Sequence, residues 1–201
     1  MGDQNHYFSK RPKAPFRKFL VKFYFRGHEF KFVTSPGVFS FKKVDRGTKA
    51  LLKYMYIENG WKVLDLGCGY GVIGIVVAKL YPKTLVCMVD VNQRACSLSR
   101  TNLKLNGVRN AIVLCGNMYE PVKGKKFNCI VTNPPISAGL STCYEIVEKA
   151  TEHLEEDGLL QVVAREKKGG RRIREKMLQV FGNCQVLGKS GGFWVYASRK
   201  L

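Results

Sequence analysis

One stretch, Val63-Leu64-Asp65-Leu66-Gly67-Cys68-Gly69-Tyr70-Gly71-Val72-Ile73-Gly74, sets four glycines behind a short apolar run that contains a carboxylate. Glycines let a backbone turn sharply and approach a ligand closely. Gly69 to Gly74 fits the dinucleotide fingerprint, a pattern of low specificity by itself. Asp65 gives it direction. A pyrophosphate lying over this loop would face a carboxylate, whereas an ammonium or a sulfonium would be attracted. The next strand ends in Asp90, and the third leads to Asn117. Asp90 is placed to accept both hydroxyls of a ribose, and the amide of Asn117 to pair with an adenine edge. Asp65, Gly67, Gly69, Asp90 and Asn117 thus match the amino-acid end, the ribose and the base of S-adenosylmethionine.

A second motif, Asn133-Pro134-Pro135-Ile136, follows an apolar run. Proline fixes φ and removes a donor, so the tandem makes a stiff turn and is expected to leave the Pro134 carbonyl free to accept. The Asn133 side-chain oxygen is a second acceptor. Two acceptors at fixed separation can hold both hydrogens of a planar amino group. They would aim its nitrogen at an electrophilic methyl and strengthen as positive charge develops there. Asn133 and Pro134 are therefore the candidate catalytic residues, and no strong general base is required.

The elements that must position these groups alternate in type. Strands are expected at 62–66, 85–90, 111–115, 127–132, 159–164, 185–187 and 193–197. Helices are expected at 48–58, 72–80, 93–105, 142–156 and 171–181. Alternation of this kind means an α/β fold, a mostly parallel sheet with helices on both faces. Such sheets bind ligands beyond the carboxyl ends of their strands, where every motif named here lies. Ahead of them, Phe19, Val21, Phe23 and Phe25 alternate with other residues, Gly27 permits a turn, and Phe30 and Phe32 resume the alternation. Residues 1–43 therefore read as a basic tail and hairpin, and residues 44–201 as the main domain.

The chain has 201 residues, and its 34 basic against 15 acidic side chains give a formal charge of +19. The excess lies at the ends: ten basic against two acidic residues in 1–43, and the same in 161–201. This field favours polyanionic partners and argues against a cationic substrate. Lys167, Lys168, Arg171 and Arg172 should share a rim with the motif loops. The cations that open the last helix oppose its dipole, which points to phosphate contacts. Lys10, Arg11, Lys13, Arg17 and Lys18 form a second candidate clamp. The apolar run at Val72–Ala78 is far too short to span a membrane. The seven cysteines are scattered without zinc-site spacing, which suits a reducing cytoplasm and predicts no metal.

Asp65 to Gly71 resembles the first motif of the class I methyltransferases that use S-adenosylmethionine. Asn133-Pro134-Pro135 resembles the signature of their amino-methylating branch. With Pro36-Gly37-Val38-Phe39-Ser40, Asp45 and Gly47, the chain is similar to the RsmC-type enzymes of the small-domain (MTS) group, which modify the exocyclic amine of guanine in small-subunit ribosomal RNA. Single-domain archaeal members are similar over nearly the full length, and the bacterial enzymes carry an additional N-terminal domain. The resemblance implies a Rossmann-like, seven-stranded sheet with its last strand antiparallel. It also implies cofactor contacts at Asp65, Gly67, Gly69, Asp90 and Asn117, and the target amine at Asn133 and Pro134. Amino-methylating enzymes usually carry an aromatic where Ile136 stands, so Phe39 or Phe41 is expected to supply the ring face. Phe39, Pro135, Ile136, Arg171 and Arg172 are thus the expected substrate contacts. The reading is guanine-N2 methylation of RNA, ribosomal RNA first. Transfer RNA, DNA adenine or a protein glutamine are alternative substrates, and a silent RNA-binding module or a nicotinamide-dependent oxidoreductase are alternative functions.

Overall fold

The structure is a computed structural model that describes residues 10, 12, 14–136 and 139–201. Arg11 and Lys13 of the candidate clamp lie outside the described residues. The chain begins with a hairpin, β1 (Phe19–Phe25) and β2 (His28–Thr34), and continues through α1 (Arg46–Tyr54), β3 (Lys62–Leu66), α2 (Val72–Leu80), β4 (Leu85–Asp90) and α3 (Gln93–Leu105). There follow β5 (Ala111–Cys115), β6 (Phe127–Thr132), α4 (Leu140–His153), β7 (Leu154–Arg165), α5 (Arg171–Phe181), β8 (Gln185–Ser190) and β9 (Phe193–Arg199). Seven strands form one sheet in the order β5-β4-β3-β6-β7-β9-β8. β3 to β7 pair in parallel, and β9 runs antiparallel between β7 and β8. The expected sheet, including its antiparallel last strand, is present.

The strands are nearly continuous apolar runs because both faces are covered. On one face Val63, Val86, Met88 and Val131 pack under α1, α2, α3 and the hairpin. On the other, Leu64, Leu66, Ile130 and Leu160 pack under α4 and α5. The chain order reverses beside β3, whose neighbours are β4 on one side and β6 on the other. Leu66 pairs with Val89 and with Thr132. The glycine loop, Asp90 and Asn133 therefore leave the sheet at one level, on strands about 4.8 Å apart.

Five elements, α1, α4, β7, β8 and β9, have bounds that differ from expectation. α1 spans 46–54, not 48–58. It starts earlier because Asp45 caps it, accepting from the backbone N–H groups of Gly47 and Thr48 at 2.7 and 3.2 Å. It stops earlier because the fully buried amide of Gln161 on β7 takes both backbone groups of Tyr56, at 2.8 and 2.6 Å. α4 ends at His153 and β7 begins at Leu154, so residues assigned to the helix join the sheet beside Phe127. β8 runs on to Ser190 because pairing with β9 extends it.

The hairpin docks through two asparagines four residues apart, Asn102 on α3 and Asn106 at its C-terminal cap. Asn102 accepts from Val33 N–H at 2.7 Å and donates to Val33 C=O at 2.9 Å. Asn106 does the same for Lys31 at 3.0 and 2.8 Å. The helix thereby offers a strand-like edge to β2, while Phe30 and Phe32 are buried beneath it. Asn102 is fully buried and also donates to Tyr70 C=O. Asn102→Ala leaves those groups unsatisfied and should lower stability by about 2–4 kcal/mol. The partly exposed Asn106→Ala should cost less than about 1 kcal/mol. Urea denaturation of both variants checks the difference.

Candidate active site

A cleft of about 280 Å³ opens over the carboxyl ends of β3, β4 and β6, lined among others by Gly67, Gly69, Asp90, Asn117, Asn133, Pro134, Pro135 and Phe39. Eight of the expected site residues therefore share one crevice. At Gly69 the backbone has φ +57°, and a Cβ added there or at Gly67 would project into open space. Both positions present bare backbone to the cleft. Gly74 answers a different constraint, since a Cβ there would lie 2.6 Å from Met88. It lets α2 press onto β4.

Asp90 builds the loop as well as lining the cleft. Its two oxygens accept from the backbone N–H groups of Gly69 and Asn92, each at 2.8 Å. A carboxylate can accept about four hydrogen bonds, so Asp90 retains capacity to accept from a ligand. Burial raises its pKa, opposed by the backbone donors at Asn92, Gly69 and Val91. Asn92 caps α3 by accepting from the backbone of Arg94 and Ala95. Asn117 sits at the exposed rim after β5.

Asp65 is placed differently from expectation. It is fully buried under the loop and is not part of the cleft lining. One oxygen accepts from Gly74 N–H at 2.8 Å, and Oδ1 has no hydrogen-bond partner among the described residues. Burial pushes its pKa up to about 7, opposed by the Gly74 N–H and raised further by the charge of Asp90. A cation over the loop would favour the ionised form, and a pyrophosphate would face two carboxylates. These groups fit a cationic adenosyl ligand such as S-adenosylmethionine. Gly67 and Gly69 would take its chain, Asp90 its ribose and Asn117 its base.

Across the cleft, the Asn133 side-chain nitrogen donates to Asp45 at 3.0 Å and to the Thr48 hydroxyl at 3.2 Å. A carboxylate only accepts, so it fixes which end of the amide faces it. Both amide hydrogens are thereby engaged, and the Asn133 oxygen is the end left to accept. In the sequence Asp45 stands out only through the family resemblance; its contact with a residue 88 positions away depends on the fold. Pro134 corrects an expectation: its carbonyl accepts from Ile136 N–H at 2.9 Å and keeps one lone pair, not two.

The two candidate aromatics separate. Phe39 lines the cleft opposite the Asn-Pro-Pro turn, whereas Phe41 packs on Phe19 with ring centroids 5.6 Å apart. Ile136 turns away from this cleft. With Leu140 it walls a second, basic depression formed by Lys167, Lys168, Arg171 and Arg172, on the far side of the same turn. Arg171 pairs with Glu166 at 3.1 Å and stays largely exposed. Among the described residues, no group of three or more His, Cys, Asp or Glu side chains gathers as metal ligands would, and no helix is long and apolar enough to cross a membrane.

The fold is that of the Rossmann-like methyltransferases. The sequence profile of the methyltransferase small domain matches residues 29–197, and the chain belongs to that family. It is 35% identical over 200 residues to the uncharacterized protein YbxB of Bacillus subtilis (strain 168), covering 98% of each chain. It is 36% identical over 189 residues to ribosomal RNA small subunit methyltransferase C of Aliivibrio fischeri (strain MJ11), covering 92% of this chain and 53% of that one. A solved structure of the T. thermophilus 16S rRNA N2 G1207 methyltransferase RsmC, in complex with AdoMet and guanosine, superposes with a TM-score of 0.81 at 27% identity. That match covers 94% of this chain and 52% of the other. The chain spans about half the length of these RsmC relatives, whereas the YbxB match shows that bacteria also have a relative of this length.

Asp65 gives stability a pH dependence. Its folded pKa lies above that of an unfolded carboxylate, so the unfolded chain loses the proton first. Its contribution is complete below about pH 4 and is lost as pH rises toward 7. The stability of the ligand-free wild type relative to Asp65→Asn should fall by about 1.4 kcal/mol per pH unit across that window and level off above it. Urea titrations of both proteins from pH 4 to 8 measure this; parallel curves would contradict it.

Proposed function

We propose that the chain transfers a methyl group from S-adenosylmethionine to the exocyclic N2 amine of a guanine in structured RNA, with small-subunit ribosomal RNA as the substrate. The carrying observation is the fixed amide of Asn133, whose nitrogen is bound by Asp45 and Thr48 and whose oxygen is thereby offered to the cleft. S-adenosylmethionine supplies an electrophilic methyl on a positively charged sulfur. Asn133 Oδ1 accepts one N–H of the target amine, and the remaining lone pair of the Pro134 carbonyl accepts the other. Held this way, the amine nitrogen would take the methyl as the carbon–sulfur bond breaks; neutral S-adenosylhomocysteine would leave, and the extra proton on the methylated nitrogen would pass to water. Both contacts strengthen as charge develops on nitrogen, so they favour the transition state over the ground state. Phe39 stacks on the flipped base and stands in for the missing aromatic at position 136.

The net charge of +19 supports RNA. The likeness to RsmC, solved with guanosine, supports guanine. Arg171 and Arg172, with Lys167 and Lys168, flank the target turn and would hold phosphates.

The direct test is labelled cofactor with unmodified ribosomal RNA, followed by nucleoside mass spectrometry. N2-methylguanosine is expected. A label on adenine, on protein or on nothing would reject the reading. Asn133→Ala should lower kcat roughly 100-fold or more while cofactor affinity changes little. Asp45→Ala should lower kcat roughly tenfold through loss of amide orientation, and stability by about 1 kcal/mol through loss of the α1 cap. Turnover on RNA should fall in Phe39→Ala, and Phe41→Ala should act only through stability; equal turnover in Phe39→Ala would remove the stacking role.

A further inference from the structure

We propose that the outward face of the β1–β2 hairpin is a docking surface for the RNA strand that flanks the target nucleotide; this rests on the RNA reading of the active site. The hairpin alternates strictly. Val21, Phe23, Phe30 and Phe32 point into the core. The opposite face carries three cross-strand pairs, Leu20 with Val33, Lys22 with Lys31, and Tyr24 with Glu29.

That face is unfavourable in isolation. Lys22 and Lys31 stand directly opposite each other, and like charges so placed destabilise a strand pair. Glu29 answers Lys22 only at 3.7 Å and in solvent, a contact of little worth. Beside them Tyr24 is 68% exposed and Leu20 57%. Arg17 and Lys18 extend the cationic track from exposed positions. Cations interleaved with an exposed ring make the combination that holds a single-stranded nucleic acid, charge for the backbone and a flat face for a base. A second copy of the same face would bring lysine against lysine.

Position supports the same partner. The open end of the hairpin lies at the cleft, because Phe19 packs on Phe41 and β2 runs through Ser35-Pro36-Gly37 to Phe39 in the cleft wall. The tip reaches the end of α2, where Arg26 donates to the Tyr81 hydroxyl at 3.2 Å. Seven-residue strands at about 3.3 Å per residue make a track of roughly 20 Å leading away from the target base. The asparagine pair on α3 and its cap holds that track in place.

The test uses the full chain and an in vitro transcript of small-subunit ribosomal RNA. Lys22→Gln/Lys31→Gln should weaken transcript affinity roughly tenfold near 0.1 M salt and reduce the steepness of its salt dependence by about one to two phosphate contacts. Tyr24→Ala should weaken it by roughly tenfold with no change in the salt slope. Both variants should keep the wild-type kcat at saturating RNA and an undiminished Tm. Unchanged affinity and salt slope in both variants would overturn the proposal while leaving methyl transfer intact. So would variants that instead lose binding to phosphatidylglycerol vesicles, or lose a dimer seen by sedimentation, with transcript affinity untouched. The converse is separable: a wild type that incorporates no methyl but binds the transcript through Lys22, Lys31 and Tyr24 would end the catalytic reading and keep the docking surface.

Discussion

The site depends on parallel strands that stop in step. Leu66 pairs with both Val89 and Thr132, so three strands adjacent in the sheet, β4, β3 and β6, end side by side. The glycine loop, Asp90 and Asn133 stand at those three ends, and none has to reach. Thr132 reinforces the alignment by donating its hydroxyl to the Leu66 carbonyl at 2.8 Å. A slip of one residue in β6 would invert its side chains between the two cores and carry Asn133 away from the glycine loop. The apolar packing on both faces thereby sets the geometry of the cleft.

The electrostatics of the cleft run against those of the molecule. A chain with a formal charge of +19 places Asp65 and Asp90 beneath and beside one loop. Backbone N–H groups from Gly69, Gly74 and Asn92 hold them, and among the described residues no lysine or arginine is hydrogen-bonded to either. Neutralising them with a side-chain cation would stabilise the fold and remove their attraction for a charged ligand. The basic groups lie instead on the rim and on the hairpin, where a polyanion can reach them. Cation-seeking and anion-seeking surfaces therefore stay apart across a short distance.

Asp45 joins two tasks in one carboxylate. Its Oδ2 caps α1 through Gly47 and Thr48 and also receives the Asn133 amide. The start of a helix on one face of the sheet is thereby tied to the turn that follows β6. The cap gives the carboxylate a fixed position, and the carboxylate passes that position to the amide.

The pattern of apolar residues by itself determined the strands at 62–66, 85–90, 111–115 and 127–132 and the helices at 72–80, 93–105 and 171–181. Each is a local run with its own period and its own stop, and the glycine and Asn-Pro-Pro motifs sit at those stops. Tertiary structure alone decided the rest, because the deciding partner is distant in sequence. Gln161 ends α1, Phe127 draws residue 154 into β7, and Phe19 takes Phe41 while Phe39 turns to the cleft. Asp65 goes under its loop because Gly74 offers it a donor there. The orientation of the Asn133 amide was equally invisible: composition supplies both a donor and an acceptor, and only an acceptor-only carboxylate brought across 88 residues selects which one faces the ligand.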